Sequence, residues 1–422
     1  MSRKLRRFLR SNLGVMLISS GLVSMGGGMT WPFWALFVIS LGGTSFHVGL
    51  LAAVGSIVSL IPVFFGGYLA DKMGRKRMIY SMSIAMALDC LIYVLAPTWE
   101  WIIIGVCLDA VFEGLRQPSF EALLADSTDA ESRAFGYGLW QTIPPLMGLI
   151  SPYVAGVLMD RYGVLQAQRW AYMICFATYS LSALMRVTLL SETLPPDQGE
   201  RLEASDLVMG TLREFRQTLR VLTRQLWLLI LLGGLLQFGV AAGSAFMVTY
   251  ATEDVIRLTA AQWGLFGTAS TFLGLVVSIP FARVVDRYGR LRPILASLAL
   301  TPVALLTFIY SRSFTPAFLS YMFMVMMGNM GGVASQALFA DHSPTEHRGM
   351  ISALMRVIGS NQVFSSQMYA AGSLTTAVGG LMGGIFYGRV SYASPLLLMA
   401  GAFGLSAVIT LLFAREPEVR ED

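Results

Sequence analysis

Charge is what this chain has least of. Only 13% of its 422 residues are Asp, Glu, Lys or Arg, about half the roughly 25% of a soluble globular protein, while 55% are hydrophobic. So few charges cannot cover a surface facing water. A soluble globule, a disordered tail and a nucleic-acid binder are excluded together, despite a formal net charge of +5. Cysteine is nearly absent too. Cys90, Cys107 and Cys175 all fall inside apolar runs, so neither a disulfide framework nor a Cys/His metal spacing is present. The three histidines, His47, His342 and His347, fall in polar breaks, and no nucleophile triad or Walker-type phosphate loop occurs. Enzymatic chemistry and ATP-driven work lack residues to carry them. No cofactor and no metal are expected.

What the chain has in quantity is long apolar runs separated by short polar breaks that hold the Lys and Arg. This is the pattern of an all-α, multi-pass membrane protein. At about 20 apolar residues per crossing, twelve spans are expected. Six fall near 13–40, 46–69, 78–96, 101–124, 134–159 and 168–190, and six near 226–250, 262–283, 293–312, 316–339, 350–386 and 391–414. The eleventh is too long for one crossing, so it tilts, kinks near Gly359 or Gly372, or begins as a surface helix. Met1 to Arg10 resembles the basic start of a signal peptide, but the run behind it is about 25 residues and reads as a retained first span. With the N-terminus inside, about 22 Lys/Arg fall on the cytoplasmic side against about 5 outside. Both termini are therefore expected in the cytoplasm, and the location is the cell membrane, an inner membrane in a two-membrane cell.

Between residues 191 and 225 the composition changes. Pro195 and Pro196 precede a stretch with Leu212, Phe215, Leu219 and Leu222 on one face and Arg213, Arg216, Arg220 and Arg224 among them. That suits a basic amphipathic helix on the inner leaflet, or a partner-binding helix. The expected organisation is a six-helix bundle over 1–190, a linker over 191–225 and a second bundle over 226–422.

The halves repeat. The second span closes on Gly67-Tyr68-Leu69-Ala70-Asp71-Lys72-Met73-Gly74-Arg75-Lys76, and the eighth on Ala282-Arg283-Val284-Val285-Asp286-Arg287-Tyr288-Gly289-Arg290. Leu124-Ala125-Asp126 after span four likewise matches Phe339-Ala340-Asp341 after span ten. Repetition at half-length argues for two related six-helix bundles. On these motifs the sequence resembles the major facilitator superfamily over essentially its whole length, with Ala282 standing where the first copy has Gly67. The resemblance implies twelve helices in two pseudo-symmetric bundles that rock about a central site, exposing it to each side in turn.

The loop has a physical rationale. Asp71 ends a helix beside Lys72, Arg75, Lys76 and Arg77, Gly74 permits positive φ, and Gly67 permits close helix packing. With Asp286, Gly289 and Arg290 in the second copy, this suits an ion lock that forms in one state and breaks in the other. The simpler alternative is orientation by the positive-inside rule, which explains the cations but not Asp and Gly at fixed offsets in both halves.

The charges inside spans are the most informative residues. Asp89 lies about 16 Å into span three, near the midplane. Asp109, Glu113 and Arg116 fall in span four at i, i+4 and i+7, one narrow stripe. Each such group costs at least about 2.5 to 3.5 kcal/mol to insert, so the four should face a wet cavity or pair internally. With two acids beside one Arg, one carboxylate pairs with Arg116 while the other is placed to take up and release a proton. Glu113 or Asp109 is the expected coupling acid, with Asp89 a third candidate. Arg116 either restrains that acid or binds an anionic group of the substrate. The alternative is a structural Glu113–Arg116 pair.

Span five carries Gly148-Leu149-Ile150-Ser151-Pro152-Tyr153-Val154-Ala155-Gly156, similar to the superfamily's Gly-Pro-rich antiporter motif. Its small residues and Pro would bend the helix and pack it closely, sealing the cavity on one side. Ser151 stands where the motif has glycine, and a merely Pro-kinked span is the alternative. The resemblance implies a cavity lined by spans one, four, seven and ten. Gln237, Asn329 and Asn361, polar at mid-depth, are candidate substrate contacts. Methionines 322, 324, 326, 327 and 330 in span ten would make adaptable apolar walls or lipid-facing filler.

The leading expectation is a monomeric, proton-coupled exporter of lipophilic or cationic small molecules, with substrate, protons and membrane lipids as partners. Proton-coupled uptake of a polar or anionic solute anchored by Arg116 remains open. So does a non-transporting receptor or scaffold, which would have no evident use for titratable groups at mid-depth.

Overall fold

The computed structural model describes residues 11–128, 133–193, 222–342, 357 and 374–414. Most of the 191–225 linker, with its expected amphipathic helix, therefore lies outside the described residues. So do Asn361, Gly359, Gly372 and the first part of the eleventh span.

The described residues are helical over nearly the whole of each expected span, because about 20 apolar residues in lipid can satisfy their backbone groups only within a helix. Nine of the described stretches are long and apolar enough to cross a membrane. Packing divides the chain into two units, Met1–Gly42 with Val58–Met209 and Gly43–Ile57 with Gly210–Asp422.

In unit 1, α1 (Asn12–Thr30) is capped by Ser11, whose hydroxyl accepts from the Gly14 N–H. It runs through a tight turn at Trp31–Phe33 into α2 (Trp34–Ser40). Pro32 in the turn has no N–H to continue the α ladder. The helix α3 (Ser45–Met73) straddles the division, its first part up to Ile57 belonging to unit 2. After it come α4 (Arg75–Leu95) and α5 (Trp99–Asp126). The expected fifth span is two helices, α6 (Arg133–Met147) and α7 (Ser151–Tyr162), and α8 (Val164–Leu189) follows. The helix α8 packs on α1 and α4, and α4 packs on α5. At one end Val15, Met16, Ile79, Phe120, Leu123, Leu124 and Leu190 form a buried cluster joining all four.

Unit 2 contains α9 (Arg224–Gly243), capped by Thr223, then a tight turn at Ser244–Phe246, a short α10 (Met247–Thr249) and a widened π turn at Tyr250–Asp254. The start of α11 (Ala260–Tyr288) is a reciprocal box in which Thr259 and Gln262 cap each other's backbone N–H. Three further helices are α12 (Leu291–Tyr310), α13 (Phe314–His342) and α14 (Leu374–Arg389), and α15 (Ser394–Phe413) is the last. The first part of α3 meets α14 with backbone against backbone. A Cβ built on Gly49 would lie 2.3 Å from the Gly380 carbonyl oxygen, and one on Gly384 would lie 2.6 Å from that of Ser45.

Candidate functional site

The helix α5 is long enough to cross a bilayer at 28 residues, yet it is not among the nine apolar stretches because its turns carry Glu100, Asp109, Glu113, Arg116 and Glu121. The expected stripe is real. Arg116 donates from Nε and Nη2 to both carboxylate oxygens of Glu113, at 2.6 to 2.9 Å, a forked and charge-assisted contact. The pair is unevenly covered: the Glu113 side chain is 31% exposed and that of Arg116 11%. The acid is thus the more accessible member. One helical turn away, Asp109 feels the charges of both Glu113 and Arg116. On the neighbouring α4, Asp89 is buried, feels the charge of Asp109, and leaves Oδ1 without a hydrogen-bond partner among the described residues. Three acids from two helices therefore form one continuous electrostatic group with Arg116 at its end.

Sequence reasoning placed the second cation of this region, Arg186, within or near the end of a span but gave it no role. Arg186 of α8 is 2% exposed, and its Nε, Nη1 and Nη2 donate to the hydroxyls of Ser19, Ser83 and Ser20 at 3.1, 2.7 and 3.2 Å. The guanidinium carbons of Arg116 and Arg186 lie 5.3 and 5.4 Å from the centre of the same Phe120 ring. The available signal was an Arg inside an apolar run together with Ser19-Ser20 and Ser83 at comparable depth, but nothing in the spacing joined residues over 100 positions apart.

The two signature loops fold alike. Gly74 has φ +90° and Gly289 φ +82°, a region where a Cβ is strained, so both chain reversals use glycine. Immediately after each, an arginine reaches an aspartate 51 residues onward: Arg75 pairs with Asp126, and Arg290 Nε donates to Asp341 Oδ2 at 3.1 Å. These aspartates are the second repeated element of the sequence, so the two motifs are ion-pair partners. Each pair lies within its own unit. In unit 1 Glu192 adds to it by accepting from the Lys76 N–H at 3.0 Å. The surroundings of Gly67 and the Asp71 side chain are not among the described features. Beside them, Gly66 abuts Gly114: a Cβ on Gly66 would lie 3.1 Å from the Gly114 carbonyl oxygen, and one on Gly114 would lie 2.3 Å from Pro62 Cγ. The side chain of Asp286 forms no ion pair among the described residues.

The antiporter-like stretch is a break between α6 and α7 at Gly148 to Ile150, with Pro144 and Pro145 before it and Pro152 after. It lies against α1. A Cβ on Gly148 would lie 2.6 Å from the Ser24 carbonyl oxygen, and one on Gly28 3.1 Å from Ser151 Cβ. Ser151, Pro152 and Gly156 are all buried. In unit 2, Gln237 is 1% exposed and donates to Thr376 Oγ1 at 3.1 Å, whereas Asn329 turns back to the Val325 carbonyl of its own helix at 2.8 Å.

Helical spans in two packed units, a forked ion pair at mid-span and matching Arg–Asp loop pairs are what a membrane carrier of two related halves would show. The chain belongs to the Major Facilitator Superfamily, whose model matches residues 16–366 and 258–422. It is 23% identical over 420 residues to the multi-drug resistance efflux pump PmrA of Streptococcus pneumoniae serotype 4, covering 96% of this chain and 98% of that protein. It is 28% identical over 164 residues to a Na(+), Li(+), K(+)/H(+) antiporter of Planococcus maritimus, covering 38% of each. Among solved structures, a POT family transporter in complex with 5-aminolevulinic acid superposes with a TM-score of 0.70 at 13% identity, over 95% of this chain and 96% of that one. The protein is a membrane transporter and not an enzyme.

Proposed function

We propose that this transporter exports lipophilic or cationic small molecules in exchange for protons, by alternating access, from the cell membrane with both termini in the cytoplasm. The observation that carries the reading is the forked Glu113–Arg116 pair beside Asp109 and Asp89 in an otherwise apolar part of unit 1. A carboxylate held by an arginine in low dielectric can be neutralised by a proton in place of that partner, and the two outcomes leave different charges in the span. Proton arrival at Glu113 releases Arg116, and that exchange is a local event able to bias a global equilibrium. Asp109 and Asp89 extend the group along α5 and α4 and supply the path or a second site for protons. The Gly74 and Gly289 loops with their Arg–Asp pairs act as locks that hold one state of each half. Gln237, Asn329 and Asn361 contribute substrate contacts, and the carrier works as a monomer. Relatives named as multidrug efflux pumps and as a cation/proton antiporter support the direction and the coupling ion.

The test uses purified protein in proteoliposomes with an imposed pH gradient and a lipophilic fluorescent cation. Glu113→Gln, Asp109→Asn and Asp89→Asn are measured one at a time. At least one variant should retain substrate binding and counterflow while losing gradient-driven accumulation. Full gradient-driven accumulation in all three would rule out these acids as couplers.

A further inference from the structure

The helix α4 lacks what a helix start ordinarily has. Its first turn is Arg75, Lys76 and Arg77 with no acid among them, three cations at the positive end of a helix dipole, and Gly74 before them has no side chain to cap a backbone N–H. One carboxylate from 116 positions further along the chain meets both needs. Glu192 Oε2 accepts from the Lys76 N–H at 3.0 Å, and a Cβ built on Gly74 would lie 2.8 Å from the same oxygen, so this carboxylate rests on the chain reversal itself. It does for α4 what an N-cap side chain does for a helix that has one.

Glu192 is itself held in place. Its Oε1 accepts from the Thr193 N–H at 3.0 Å. Ser191, just before it, exchanges two hydrogen bonds with the Asn12 side chain: Asn12 Nδ2 donates to the Ser191 carbonyl at 3.0 Å, and the Ser191 N–H donates to Asn12 Oδ1 at 2.8 Å. The segment leaving α8 is thereby fixed to the start of α1, and the carboxylate reaches the loop from a firm base. Arg75 needs that support. Among the described residues it meets Asp126 through Nη1, while its Nε is buried without a partner. A one-armed contact has none of the geometric specificity of a fork, so the backbone of the loop is what aims Arg75 at Asp126. Glu192 holds that backbone at the very next residue.

We propose that Glu192 is the positioning residue of the unit 1 signature loop: its carboxylate caps α4 from outside, holds the Gly74 reversal in one shape and so keeps Arg75 aimed at Asp126. The residues that leave α8 thus set the loop between α3 and α4. The consequence for transport rests on the reading of the Arg75–Asp126 pair as a lock, whereas the placement of Arg75 does not.

The test introduces Arg75→Cys and Asp126→Cys into the full-length protein with Cys90, Cys107 and Cys175 replaced by serine, and measures in membranes how fast a short bifunctional thiol reagent joins the two positions. Glu192→Ala should slow the joining by about fivefold, the population change that one N-cap of typical worth produces. Glu192→Gln keeps an acceptor for the Lys76 N–H and should slow it by about twofold, a neutral acceptor being about half as strong as a charged one. Asn12→Ala, which unseats Ser191, should slow it too, and with Glu192→Gln it decides the matter if Glu192→Ala does not fold. Joining at an unchanged rate in the Glu192 variants would overturn the proposal. Transport is measured alongside, without the added cysteines. Glu192→Ala should change the initial rate in the same direction as Arg75→Ala, and adding it to Arg75→Ala should change the rate no further. A further change in the double variant would mean that Glu192 acts apart from Arg75, which also overturns the proposal. Slowed joining with transport unaltered in both single variants would remove the lock reading and leave the positioning role standing.

Discussion

The two units share a loop but not an interior. In unit 1 the buried polar side chains include Asp89, Arg116 and Arg186, with Glu113 paired beside them; among the described residues of unit 2 every buried polar side chain is neutral, Gln237, Ser297 and Thr301 included. Yet both units reverse the chain at a positive-φ glycine and pair the next arginine with an aspartate 51 residues on. Duplication has kept the part that holds helices together, while the electrostatics inside the span belong to one copy. An ion pair inside a span is costly to insert, and among the described residues only unit 1 carries one there.

That contrast can be broken most directly at Glu113. Glu113→Gln should cut pH-gradient-driven accumulation by at least about tenfold while leaving counterflow measurable, if the acid's proton step is worth about 1.4 kcal/mol or more. Gln237→Ala, at a buried polar side chain of unit 2, should leave the coupling ratio unchanged and shift only substrate affinity. A coupling loss as large in Gln237→Ala would show that both halves carry the proton chemistry.

Next in size are the close helix approaches. Gly114→Val in unit 1 forces a side chain against Pro62, and Gly383→Val in unit 2 forces one against the Ala242 carbonyl, where even a Cβ would stand 2.2 Å away. Each should destabilise by about 1–3 kcal/mol, read as a lower melting temperature in detergent. A smaller penalty is expected for the positive-φ glycines. Gly74→Ala and Gly289→Ala should each cost about 1–2 kcal/mol from the left-handed backbone alone. Gly74→Ala should be the worse, because its Cβ would meet Glu192 Oε2 at 2.8 Å. Smallest of all are the locks themselves. Arg75→Ala and Arg290→Ala remove partly exposed ion pairs worth about 0.2–1 kcal/mol, so melting should barely move while transport rates change. Unequal rate effects from the two would mean that the locks serve different states.

Much of the architecture was legible in advance. The span limits expected from hydropathy fall within a few residues of α4, α5, α8, α11 and α12, because a helix in lipid must be apolar over its whole crossing. The stripe of Asp109, Glu113 and Arg116 was legible for the same local reason, since i, i+4 and i+7 share a helix face. The breaks were less so. Span one is interrupted at Trp31–Phe33, where no bend was expected, and span five at Gly148 to Ile150, where proline and glycine signalled a bend but not a change of helix. The pairing of Arg75 with Asp126 was not anticipated, although both residues stood in quoted motifs.

The chain alone therefore determined where it crosses the membrane, that it is duplicated, and which charges sit inside a span, because hydropathy and helical periodicity act over a few turns. Only the tertiary structure decided who meets whom. Arg186 finds Ser19, Ser20 and Ser83 at separations of more than 100 residues, and Gly114 finds Pro62 from the next helix but one. Such meetings depend on how helices pack side by side, and the side-chain pattern of any single helix carries no record of its neighbour.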